Sequence, residues 1–126
     1  MGLFRIEPTK GAPLEFEGDI VARSKGGNEA DRKQSRWYDI MLYRTNDGQY
    51  ILQVDYHTLW EGEHDCCWAE PVTIDEVAGK LEMYDPCNAA EIFSPNRDQE
   101  LEWLRRRYEL QVMNTLEKID NLQNGS

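Results

Sequence analysis

The sequence predicts an α+β fold: a four-stranded antiparallel β-meander, then two short helices and one long C-terminal helix. Three observations predict it. Two runs rich in aromatic and β-branched residues, 36–44 and 50–60, flank the turn cluster Asn46-Asp47-Gly48. Before them, residues 14–23 alternate apolar and acidic side chains. After Thr73 the apolar spacing becomes helical and capping signals recur. The 126 residues read as one domain. It divides into an extended lead-in (1–13), the meander (14–71) and a helical part (72–123).

The lead-in holds Pro8, Gly11 and Pro13 and reads as an extended segment. In the first strand Leu14, Phe16, Ile20 and Ala22 take one parity, while Glu15, Glu17 and Asp19 take the other. One face is then solvated, and Gly18 marks a bulge. Residues 24–35 are polar, contain Gly26-Gly27-Asn28 and read as a surface loop. In the central hairpin, a three-residue loop with Gly48 in the left-handed position pairs Leu42 with Leu52, Ile40 with Val54 and Tyr38 with Tyr56. The opposite face then pairs Met41 with Gln53 and Asp39 with Asp55. A two-residue loop would slip the register by one and sort the faces less cleanly. The turn Glu61-Gly62-Glu63-His64-Asp65 leads to a fourth strand over 66–70, ending near Pro71.

The helices follow from their caps. Thr73 and Glu76 form a capping box ahead of the stripe Val77, Leu81, Tyr84. Asp85-Pro86 opens a second short helix to about residue 93, and Ser94-Pro95 repeats the device. The last helix runs to about residue 122, with Leu101, Leu104, Tyr108, Val112, Leu116 and Ile119 on one stripe.

Composition narrows the function. Net charge is −10, and residues 61–102 carry twelve acids against two bases. Phosphate binding wants Lys and Arg, so nucleic acid is not the expected partner. Metal cations or basic proteins fit better. No apolar run approaches the roughly 18 residues of a membrane span, no signal-peptide pattern opens the chain, and Ile6 breaks a myristoylation motif. The expectation is a cytoplasmic protein. Its three cysteines, Cys66, Cys67 and Cys87, form no disulfide framework.

Asp39 opposite Asp55 is the first chemical anomaly, because like charges facing each other on a sheet are destabilising. An arginine, a raised pKa or a bound cation would compensate. Glu61, Glu63 and Asp65 alternate through a tight turn that could converge carboxylates. Hard cations such as calcium take six to eight oxygen ligands. Asp39, Asp55, Glu61, Glu63 and Asp65 are therefore the candidate metal ligands, and Ca2+ the candidate ion. A solvated acidic turn is the plain alternative. The EF-hand pattern is absent. His57, His64 and the cysteines are a weaker zinc set, since adjacent cysteines on a strand point to opposite faces. No catalytic motif is present, and the expectation is a protein that is not an enzyme. Arg105-Arg106-Arg107 reads as a salt-bridging helix face, or a docking site for an acidic partner; Trp103 lies off the apolar stripe.

With these elements laid out, the chain resembles the small acidic calcium-binding proteins of cyanobacteria, the CcbP family. The resemblance rests on size, acidity and three blocks: Arg36-Trp37-Tyr38-Asp39-Ile40-Met41-Leu42-Tyr43-Arg44, Gly48-Gln49-Tyr50, and Thr58-Leu59-Trp60-Glu61-Gly62-Glu63. It covers about half the chain. It implies calcium binding through surface carboxylates, with Asp39 as a ligand. It also implies buffering or regulation of cytosolic calcium during heterocyst development, with a regulatory protein as a partner. The Cys66-Cys67 pair and the Arg105 run have no place in that picture. The alternative is an acidic protein-interaction module, or a nucleic-acid charge mimic, that binds a basic protein without metal.

Overall fold

A computed structural model describes residues 2–25, 36–59, 62–84 and 97–124. Five strands form one antiparallel sheet in chain order: β1 (Gly2–Ile6), β2 (Leu14–Lys25), β3 (Arg36–Thr45), β4 (Tyr50–Thr58) and β5 (Cys66–Val72). A 3-10 turn (Ile74–Glu76) leads into α1 (Val77–Met83), and α2 spans Arg97–Asn124. The class is α+β as expected, but the four-stranded meander is corrected to five strands. The segment read as an extended lead-in outside the meander contains β1, which pairs Phe4 with Phe16 and Ile6 with Leu14. Pro8 and Gly11 lie beyond the strand and do not interrupt it. The second short helix expected over 85–93 lies outside the described residues.

The central hairpin has the expected register. Asp39 faces Asp55, Ile40 faces Val54 and Leu42 faces Leu52. Gly48 has φ +83°, the left-handed value its loop requires. Residues of even number on β3 and β4 turn toward α2. Tyr38, Ile40, Leu42, Leu52, Val54 and Tyr56 are buried there with Leu104, Tyr108, Val112 and Ile119. Val77 and Leu81 of α1 complete this core. The Thr73 N–H donates to the Glu76 carboxylate at 2.9 Å, as the capping box requires.

The bulge on β2 is not at Gly18. The register shifts between Ile20 and Ala22, so Val21 is the extra residue. An inserted residue reverses the parity of everything beyond it. Leu14 and Phe16 therefore face away from α2, while Ala22 joins the helix-covered core. Gly18 serves a different purpose: a Cβ there would lie 2.1 Å from the Arg44 carbonyl oxygen, so only glycine allows that approach.

The second face of the sheet is not simply solvated. Ile6, Tyr43 and Ile51 are buried there, flanked by Phe4, Leu14, Phe16, Met41, Cys67 and Ala69. Tyr43 meets Phe4 and Phe16 at centroid distances of 4.9 and 5.3 Å. The sheet curls into a half-barrel. The chain leaving β1 reaches the far edge: the Thr9 N–H donates to the Cys67 carbonyl, and the Cys67 N–H to the Thr9 hydroxyl, both at 2.8 Å.

Where the β2–β3 ladder ends, Gln111 of α2 donates to the Tyr38 and Ser24 carbonyls at 2.7 and 3.4 Å. Among the described residues no helix is long and apolar enough to cross a membrane.

Leu52 is fully buried between sheet and helix. Leu52→Ala should cost about 2–5 kcal/mol in urea denaturation. A loss below about 1 kcal/mol would show that the helix-covered face is not the core.

Candidate functional site

The candidate residues gather at the end of the sheet formed by the start of β3, the end of β4 and the turn before β5. The sheet divides them between its two faces. Glu63 turns toward the helix-covered face, and its side chain is only 4% exposed. There it meets Arg36, which has even parity with Tyr38 and is likewise buried. Arg36 Nε donates to Glu63 Oε1 at 2.9 Å and Nη2 to Oε2 at 2.5 Å. This paired geometry suits a guanidinium and a carboxylate. Arg36 Nη1 also donates to Glu100 of α2 at 3.1 Å. The hydroxyls of Thr58 and Tyr56 donate to Glu63 Oε1 at 2.8 and 3.4 Å. Hydrogen bonding from Arg36, then from Thr58, holds the Glu63 carboxyl below its ordinary value. The same pairing raises Arg36.

Asp39, Asp55 and Asp65 occupy the other face. Their central neighbour is His57, whose Nε2 lies 3.1 Å from Asp39 Oδ2 and whose Nδ1 lies 3.3 Å from Asp65 Oδ2. Asp65 also accepts the Thr58 N–H at 2.9 Å. Trp37 stacks on the imidazole at 5.3 Å between centroids. The hydrogen bond to Asp39, and then the surrounding carboxylates, raise the His57 pKa above its ordinary value despite partial burial. A protonated ring can donate from both nitrogens, which suits two carboxylates at once.

Asp55 is answered by an amide. Gln53 Nε2 donates to both Asp55 oxygens at 3.0 Å, and its Oε1 accepts the Tyr43 hydroxyl at 2.7 Å. A histidine and a glutamine thus lie against the facing carboxylates, neither of them among the compensators expected, and Lys25 of β2 is the cross-strand neighbour of Asp39. Cys67 lies beside Asp55 on this face, while Cys66 packs toward the other core. Burial, then Asp55, pushes the Cys67 thiol up to about 12. It is therefore a thiol rather than a thiolate near neutral pH, and a poor nucleophile or metal ligand.

Of the five expected ligands, three share a face, Glu63 lies across the sheet from them, and Glu61 falls outside the described residues, as do Trp60 and Cys87. Among the described residues no three Asp, Glu, His or Cys side chains are placed to hold one metal ion. Alternation does not explain the division, since positions 63 and 65 have the same parity and precede the strand: Glu63 is drawn inward by Arg36, and Asp65 is held outward by His57. A groove of about 540 Å3 between α1 and α2, lined by Leu81, Tyr84, Tyr108, Val112 and Leu116, lies apart from this cluster. Comparison of the chain with protein-family models, curated proteins and solved structures finds no match.

Two tests follow from these pairs. Glu63→Ala removes the two-pronged carboxylate partner of the buried Arg36 and should cost about 3 kcal/mol. Because the folded Glu63 pKa is depressed, its contribution is present above the ordinary value of 4.5 and is lost as pH falls through the folded value. Glu63→Ala should therefore flatten that part of the acid-denaturation curve. For His57 the sign is opposite. Its contribution is present below the ordinary 6.5 and is lost as pH rises through the higher folded value. Asp39→Asn should lower the His57 pKa in an NMR titration and weaken the fall of stability across that window. An unchanged His57 titration would remove Asp39 as the main cause.

Proposed function

We propose that the protein is a non-enzymatic binding module of the cytosol, whose second sheet face receives basic side chains of a partner protein. One observation carries this reading. Asp39, Asp55 and Asp65 share a face without turning three ligands on one point, and a protonatable ring lies between two of them. Carboxylates spread over a surface suit several Lys or Arg side chains, whereas calcium needs them convergent. Trp37, half-buried beside them, offers the kind of flat aromatic surface on which a guanidinium stacks. The raised Cys67 thiol supports a role without nucleophilic chemistry.

Calcium binding, as the resemblance to the CcbP family implies, is the second reading. It is favoured by the direct opposition of Asp39 and Asp55, with Asp65 on the same face. A divalent ion would there replace the proton on His57 and draw the carboxylates together.

Calorimetry separates the two. The full chain is titrated with an oligo-lysine peptide and with calcium, against a magnesium control. The first reading expects peptide binding that weakens with salt and falls in Asp39→Asn and Asp65→Asn, with no calcium-specific heat. Calcium binding at micromolar concentration, abolished by Asp39→Asn and absent with magnesium, would establish the second reading instead.

A further inference from the structure

The face of α2 turned away from the sheet carries a second pattern that the core does not use. Trp103, Leu110 and Met113 are 45, 65 and 67% exposed on it. Arg106, Glu117 and Asp120 complete the row, all exposed. The six residues 103, 106, 110, 113, 117 and 120 recur at alternating spacings of three and four, the seam of a coiled coil. At 3.6 residues per turn they lie within about a third of the helix circumference. Leu104, Tyr108, Val112, Thr115 and Ile119, all buried, occupy the opposite side. The helix thus carries apolar residues on two faces, and on the second, uncovered one Trp103, Leu110 and Met113 are mixed with charges.

The order of charge along the row identifies its occupant. The basic residue lies toward the N-terminal end, the acidic residues toward the C-terminal end, and the two aliphatic residues between them. Such a row is self-complementary when reversed. We propose that α2 pairs with α2 of a second copy of this chain, antiparallel, about a two-fold axis passing between residues 111 and 112. Leu110 then packs on Met113 of the other copy, Arg106 meets Glu117, and Trp103 meets Asp120. Symmetry repeats every pair, as an isologous contact demands. A parallel pairing would instead oppose Arg106 to Arg106 and Glu117 to Glu117.

The existing partners of these groups are consistent with exchange. Arg106 holds Glu102 one turn away at 2.9 Å, with both side chains well exposed, a pair of little worth in water. The Arg107 guanidinium lies 4.6 Å from the Trp103 ring centroid and keeps the indole against the helix surface. The row spans about 26 Å of helix. A contact of that length between two helices gives a concentration-dependent dimer rather than an obligate one. It leaves the Asp39–His57–Asp65 face, which lies on the other side of the sheet from α2, open in each copy.

Sedimentation equilibrium of the full chain, from micromolar to millimolar concentration, tests the pairing. The expected result is a monomer–dimer equilibrium abolished by Leu110→Asp, with helical circular dichroism retained. Arg106→Glu and Glu117→Arg should each weaken the dimer about tenfold, because two symmetry-related pairs turn repulsive. The combined variant Arg106→Glu/Glu117→Arg should return it to within about threefold of the original. A chain that stays monomeric throughout overturns the proposal. So does a dimer indifferent to Leu110→Asp, or a combined variant no tighter than the singles.

Discussion

A buried guanidinium must have its charge answered, and much of this fold is arranged to answer Arg36. The residue opens β3 on the helix-covered face, at the end of the sheet where the aliphatic core gives way to polar groups. Its partners come from three separated parts of the chain. Glu63 arrives from the turn before β5, Glu100 from the first turns of α2, and the Thr58 and Tyr56 hydroxyls from β4 by way of Glu63. Removing two charges from water is costly, and their attraction repays it only when the remaining hydrogen bonds are also made. Here they are made. The chain at Glu63 and the start of α2 are therefore tied to the same side chain. A turn that looks from its composition like a solvent-facing acidic loop is half interior.

That contrast locates what sequence reasoning could reach. The hairpin register was legible because a face-sorting rule and a glycine-dependent loop agree on it, and both act within twenty or so residues. The stripe of α2 was legible for the same reason. β1 was not, because a five-residue strand beside Pro8 and Gly11 carries too short an alternation to stand out. Its signal lay in the match of Phe4 and Ile6 to Phe16 and Leu14, which appears only once the two segments are paired. The Val21 bulge was equally hidden: one inserted residue leaves the even-numbered pattern intact in the text while reversing it in space.

The candidate site divides along the same line. Asp39 opposite Asp55 was readable, since it follows from the register. The compensation by His57 and Gln53 was not, although both sit two residues from Asp55 and hence on the same face of β4. Period-two spacing was the signal that could have found them. Glu63 was grouped with Glu61 and Asp65 because nothing local distinguishes it from them. Its fate is set by Arg36, twenty-seven residues away in sequence.

The fastening of Thr9 to Cys67 has a consequence for how this protein meets others. Along an antiparallel edge strand, alternate residues direct both N–H and C=O outward. On β5 these are positions 67, 69 and 71. At 67 both groups are already engaged by Thr9, and at 71 proline has no N–H to offer. Ala69 is left as a single outward donor between two blocked positions, too little to template an added strand. Recognition by strand addition is closed at this edge of the sheet.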